Sequence, residues 1–133
     1  MPKFVEVETP YAGTNEEVKR NLLYTRACVR DCLIREEIPF ASHLLYTQPG
    51  ISDDNIPEER AKGLGAAGEI IEALPNTVTV VYCDLGISKG MYGAIEKAKQ
   101  KGRSVELRTL GKDWEAKALE FSGKHSQADV WGA

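Results

Sequence analysis

The residues best placed to do chemistry lie in one short stretch, Asp84-Leu85-Gly86-Ile87-Ser88-Lys89-Gly90-Met91. An apolar, β-branched run from Thr77 to Val81 stops just before the acid, and a helical pattern begins at Lys89. A strand feeding a helix through a short polar turn leaves the free N–H groups of the helix start facing the strand's carboxyl end, where an anion is favoured. Asp84 is thus a candidate carboxylate beside a candidate anion cradle formed by Gly86, Ser88 and Gly90. Lys89 adds a cation, and Met91 an adaptable apolar wall.

Other residues have one functional and one ordinary reading. Tyr11, in Pro10-Tyr11-Ala12-Gly13, is placed to stack on a base or donate to a sugar oxygen, or else to pack its own loop. His43 is an acid/base or hydrogen-bond donor candidate, or a structural histidine. Arg60 reaches for an anion, or pairs with Glu59 or another acid and is otherwise solvated. Ser88 holds a phosphate or caps its helix, and both roles are compatible. Cys28 and Cys32, four apart on a helix, are half of a metal site or two small core residues. No His or Cys pair elsewhere has ligand spacing, so the core reading is favoured and no metal is expected. Trp114 is expected as a packing anchor, and Trp131 as a residue that caps an interface or is disordered. No role is expected for His125.

The whole chain bounds these readings. It has 133 residues, is 42% apolar and 28% charged, and carries a net charge of −3. That composition suits one ordinary globular domain. No apolar run approaches a membrane span, and the strand-like Phe4 to Glu8 follows Met1-Pro2-Lys3 directly, so neither a signal peptide nor membrane attachment is expected. No basic patch marks a nucleic-acid surface. Three cysteines, an odd number, suit a reducing compartment, and a cytoplasmic location is expected.

The elements alternate. Phe4–Glu8 is a first strand, and Glu6 and Glu8 argue that one of its faces is wet or at an interface. Thr14 and Glu17 form a capping box that opens a helix to about Arg35, with Val18, Leu22, Val29, Cys32 and Leu33 as its apolar stripe. Ile38–Ser42 is a second strand. A long loop from Leu44 to Ile56 follows, with a helical turn expected at Leu44–Tyr46. Pro57 starts a helix to Leu74 whose Gly63, Gly65 and Gly68 permit close approach of a backbone or ligand. Thr77–Cys83, Lys89–Gln100, Ser104–Arg108 and Asp113–Leu119 complete a strand, helix, strand, helix order. This predicts an α/β, Rossmann-like three-layer sandwich with a four- or five-stranded, mainly parallel sheet, a domain over 1–120 and a tail over 121–133. It also brings Tyr11–Gly13 and Asp84–Gly86 to one sheet edge, and so predicts a shared pocket.

With both loops in view, the chain resembles the nucleoside 2-deoxyribosyltransferase-like superfamily. The likeness rests on Thr9-Pro10-Tyr11-Ala12-Gly13 and on the Ser88-Lys89-Gly90-Met91 turn. More narrowly, it is similar to a group of small phage and bacterial proteins through His43-Leu44-Leu45, Pro57-Glu58-Glu59-Arg60, Asp84 to Ser88 and Glu106-Leu107-Arg108. The resemblance spans about residues 3 to 110. It implies a nucleoside or nucleotide ligand, no cofactor, a homo-oligomer and, if the protein is phage-encoded, the host cytoplasm. It also implies a glutamate three residues after the methionine, as nucleophile or stabiliser of the sugar cation. Here that position is Ala94, and Glu96 lies roughly 200° further round the helix. Glycosidic cleavage needs a close carboxylate, which Asp84 or Glu69 would have to replace. The favoured expectation is a protein that binds a nucleotide or nucleotide-derived signal without turnover, as a sensor or a phage sequestering protein. The alternatives are an N-glycosidase or deoxyribosyltransferase, and a structural oligomer subunit with a vestigial pocket.

Overall fold

The computed structural model describes residues 2–74 and 76–124. The expectations for His125 and Trp131 lie outside the described residues. The elements run β1 (Phe4–Glu8), α1 (Asn15–Ile34), β2 (Ile38–Phe40), a 3-10 turn (Ser42–Leu44), α2 (Pro57–Ala73), β3 (Val78–Tyr82), α3 (Lys89–Gln100), β4 (Val105–Arg108) and α4 (Trp114–Lys124). The four strands pair in the order β2-β1-β3-β4, all parallel. The result is the expected Rossmann-like α/β sandwich with a four-stranded sheet. α4 runs through the boundary placed at residue 120, and β2 ends before Ser42.

Strand parity decides what each face holds. Val5, Val7, Val80 and Tyr82 point to one face and cluster with Tyr24, Cys28 and Cys32 of α1 and Trp114 of α4. Val81 points to the other and packs on Met91 and Ile95 of α3. Val5, Val80 and Val81 are fully buried, each contributing roughly 1.5–3 kcal/mol. The strand order reverses direction between β1 and β3, the switch point at which such sheets open a crevice outside their carboxyl ends.

α1 begins as expected: the Glu17 N–H donates to Thr14 Oγ1 at 3.2 Å, and the Thr14 N–H to Glu17 Oε1 at 2.9 Å. Its buried stripe differs from the apolar one. Asn21, Tyr24, Thr25, Cys28 and Cys32 are buried while Leu33 is 59% exposed. The polar members enter because each finds a partner. Asn21 Nδ2 donates to the Tyr11 carbonyl at 2.9 Å, and Thr25 Oγ1 lies 2.6 Å from Thr9 Oγ1. Trp114 packs edge-on against Tyr24, with ring centroids 4.8 Å apart. Cys28 and Cys32 are free, fully buried thiols. Burial, as the largest cause, pushes the Cys28 thiol well above its ordinary range, so it is a poor nucleophile.

Candidate functional site

A cavity of about 540 Å³ lies between the β1 face of the sheet, α2, the start of α3 and the 3-10 turn. Its size suits a small organic ligand. α2 supplies a wall of small and apolar side chains: Gly63, Leu64, Ala67, Gly68 and Ile71. A Cβ on Gly63 would come within 3.2 Å of the Tyr46 side chain, so glycine there lets α2 close against Tyr46, a side chain in place of the expected backbone or ligand. Opposite, Ser88, Lys89, Gly90, Met91, Gly93, Ala94 and Lys97 of α3 and its cap line the cavity. Ser88 caps α3, its Oγ accepting the Met91 N–H at 3.3 Å. A Cβ on Gly90 would meet open space, leaving the backbone of that turn accessible.

Most of the sequence-derived candidates meet here. Tyr11, Ala12, His43, Arg60, Ser88, Lys89, Gly90 and Met91 all line the cavity. Gly13 lies in a more open depression under the 47–55 loop, which shares Tyr11, Ala12 and Arg60 with the cavity. His43 sits in the 3-10 turn instead of ending a strand, its ring tilted on Tyr11 with centroids 5.1 Å apart. Burial, against the pull of Asp54, lowers its pKa, so the imidazole is neutral near pH 7. Arg60 Nε lies 3.6 Å from Asp54 Oδ2. Glu59 instead accepts the Asp53 N–H at 2.9 Å.

Asp84 and Gly86 do not line the cavity. Asp84 is at the expected sheet edge but on the opposite face, because it continues the parity of Val80 and Tyr82. Its carboxylate accepts from Tyr24 Oη at 2.5 Å, from the Leu110 N–H at 2.9 Å and from the Gly111 N–H at 3.0 Å. Desolvation alone would raise its pKa, but these donors outweigh it and hold the carboxyl below its ordinary value. Asp84 is therefore an anchor for the turn after β4. Glu69 is exposed and also absent from the lining, as is the exposed Glu96. Neither Asp84 nor Glu69 is placed to replace the missing glutamate. Ala94 lines the cavity.

Two carboxyls do enter it, and they are the ones assigned to a wet or interface face. Glu6 and Glu8 share the cavity face of β1, where Glu6 is buried and Glu8 half-buried. Thr79 Oγ1 donates to Glu6 Oε1 at 3.1 Å. The two carboxyls are neighbours on that face, two residues apart on one strand. Burial first, then the adjacent Glu6, pushes the Glu8 pKa well above the carboxylate range. Burial also raises Glu6, against the Thr79 hydrogen bond and the charges of Arg103 and Lys97. Arg103 lines the same cavity, its Nε buried and without a hydrogen-bond partner among the described residues. A signal for the pair was present: acids at alternate positions of a strand whose other face is Val5 and Val7. A strand central in a parallel sheet has no wet face.

Among the described residues no group of three or more His, Cys, Asp or Glu is placed to hold a metal, and no helix is long and apolar enough to cross a membrane. The fold and cavity define a small doubly wound α/β protein with a switch-point pocket. The chain belongs to the family described as Domain of unknown function (DUF7768), whose model matches residues 3–108. No curated protein and no solved structure matches the chain.

Proposed function

We propose that the cavity binds a nucleotide or nucleotide-derived small molecule without turning it over, so that the protein acts as a sensor or a sequestering protein. Ala94 carries this reading: it lines the cavity one turn into α3, where the resemblance to nucleoside 2-deoxyribosyltransferase-like proteins calls for the carboxylate. The surroundings supply the parts of a nucleotide site. Tyr11 offers a ring face and α2 an apolar wall. The start of α3, with Lys89 and Arg60, offers N–H groups and positive charge to a phosphate.

The Glu6–Glu8 pair favours a second reading, N-glycosidic cleavage, since a neutral acid beside a carboxylate is the composition of an acid/base site. One experiment separates the two. The purified protein is incubated with nucleoside 5′-monophosphates and heat-denatured, and the supernatant is analysed by chromatography and mass spectrometry. Intact nucleotide retained by the native protein and released on denaturation supports binding. Free base supports cleavage, and no retained nucleotide counts against both.

A further inference from the structure

Three polar groups line the sheet side of the cavity in a fixed order. Glu6 pairs in register with Thr79, and Glu8 with Val81 further toward the strands' carboxyl ends. Arg103 precedes Val105, which itself pairs with Thr79, so it lies toward the amino ends. Along the strand direction the order is Arg103, Glu6, Glu8.

The chemistry of each follows from its partners. Two carboxyls side by side on one buried face do not both ionise, so one of them holds a proton. Glu6 accepts from Thr79 and has Arg103 and Lys97 beside it, whereas Arg103 alone offsets the charge of Glu8. Glu6 is thus the carboxylate and Glu8 the acid. Arg103 lines the cavity, and its guanidinium is a donor-only group, so it is suited to an acceptor placed there.

We infer that Arg103, Glu6 and Glu8 read the imide edge of a uracil-type base, a C=O, an N–H and a C=O in sequence, so that a uridine nucleotide is the ligand class of this site. Arg103 donates to one carbonyl, the Glu6 carboxylate accepts the ring N–H, and Glu8 donates to the second carbonyl. This rests on the nucleotide reading above and specifies its base. Cytosine presents an amino group at one carbonyl position and a bare ring nitrogen at the imide N–H. One donor of the protein then faces a donor, and Glu6 has nothing to accept. Adenine and guanine also lack the acceptor–donor–acceptor order. The inferred pattern is pH-dependent, because Glu8 must keep its proton. The charged and titratable groups lining the cavity with the pair are Arg103, Lys97, His43, Arg60, Lys89, Glu72, Asp54, Tyr11 and Tyr46. Of these His43 is neutral near pH 7, so its titration falls on the acid side of the range tested.

The test is isothermal calorimetry of the native full-length protein with UMP, CMP, AMP and GMP at pH 6 to 9. UMP is expected to bind roughly ten- to a hundredfold more tightly than CMP, the consequence of unpaired buried donors and acceptors. Its affinity should fall as pH rises. Glu8→Gln, whose amide donates at every pH, should flatten that profile, and Glu6→Gln should erase the preference for UMP over CMP. Binding of CMP or a purine nucleotide as tight as that of UMP overturns the imide assignment and leaves the nucleotide reading standing. Binding of none of the four overturns the nucleotide reading, and this inference with it. The comparison of UMP with CMP uses only native protein, so a variant that fails to fold does not blunt it.

Discussion

Tyr24 and Asp84 clasp each other: the Tyr24 hydroxyl donates to Asp84 Oδ1 at 2.5 Å and accepts the Asp84 N–H at 2.8 Å. With the N–H groups of Leu110 and Gly111 on the same carboxylate, this ties α1, the end of β3 and the turn after β4 into one unit. Asp84→Asn should therefore lower stability by about 1–3 kcal/mol, through donors left facing an amide, and leave nucleotide binding intact. The Asp84 pKa is depressed, so its contribution is present above the ordinary aspartate value of about 3.9 and is lost as pH falls through the folded value. Urea melts at pH 3 and pH 6 should show the native protein and the Asp84→Asn variant converging in acid. Loss of nucleotide binding by a folded Asp84→Asn variant would return Asp84 to the site.

Glu8 has the opposite sign. Its folded pKa is raised, so the folded state holds more protons than the unfolded one above about pH 4.3, and stability falls as pH rises from there through the folded value. Each pH unit of that interval costs about 1.4 kcal/mol. Glu8→Gln removes the ionisation and should melt at a higher temperature than the native protein at pH 8, with the gap closing toward pH 4. A gain in stability on removing an acid is what a site residue gives, and is not expected of a structural one. A lower melting temperature for Glu8→Gln at pH 8 would mean that Glu8 holds the fold together.

Glu37 and Arg108 form a buried bidentate ion pair, with donor–acceptor distances of 2.7 and 2.6 Å. Glu37→Ala leaves the guanidinium without its main partner, a change that typically costs about 3–5 kcal/mol. Glu106 also accepts from Arg108 at 2.8 Å, which should hold the loss to the lower end. Combining Glu37→Leu with Arg108→Met should recover much of it, as denaturant melts would show. A loss for the double variant equal to that of Glu37→Ala would refute the account.

How much of this was legible in the sequence varies by residue. The capping box at Thr14, Pro57 at the start of α2 and the Ser88 cap are local rules, and α1, α2 and α3 begin where those residues place them. Strand parity is legible at two further positions. Counting by twos from Val80 through Tyr82 sends Asp84 to the α1 face, while the alternation of Val5 and Val7 with Glu6 and Glu8 sends the two acids to the cavity. In the buried stripe of α1, Cys28 and Cys32 are legible as core residues, but Asn21 and Thr25 are not, because they are buried only through the Tyr11 carbonyl and Thr9. Arg103 reaches the cavity through the pairing of β3 with β4, which no local pattern encodes.

Gly90 opens the proposed phosphate end of the cavity, since a Cβ there meets no protein atom. Gly90→Val should fold with a modest loss of stability and weaken UMP at least tenfold, while narrowing the difference in affinity between UMP and uridine. Calorimetry with both ligands checks this. Equal losses for UMP and uridine would place the phosphate elsewhere.

Ala94 offers the closing prediction because it is both in the cavity and one turn from Gly90. Ala94→Glu puts a carboxylate opposite the Glu6–Glu8 pair, near where a bound sugar would lie. Its charge should weaken nucleotide binding, since it also approaches the phosphate end. If the sugar carbon comes within reach, the variant should release free base from dUMP above the native background, because a nearby carboxylate stabilises the oxocarbenium-like state. The rate should be slow, since a displacement of about 1 Å costs on the order of a hundredfold. Glu96→Gln, on the exposed side of the same helix, should change neither binding nor release. Chromatography of the free base reads all three proteins. Base release by the native protein that disappears in Glu8→Gln while binding persists would replace the binding reading with the enzymatic one, with Glu8 as its acid.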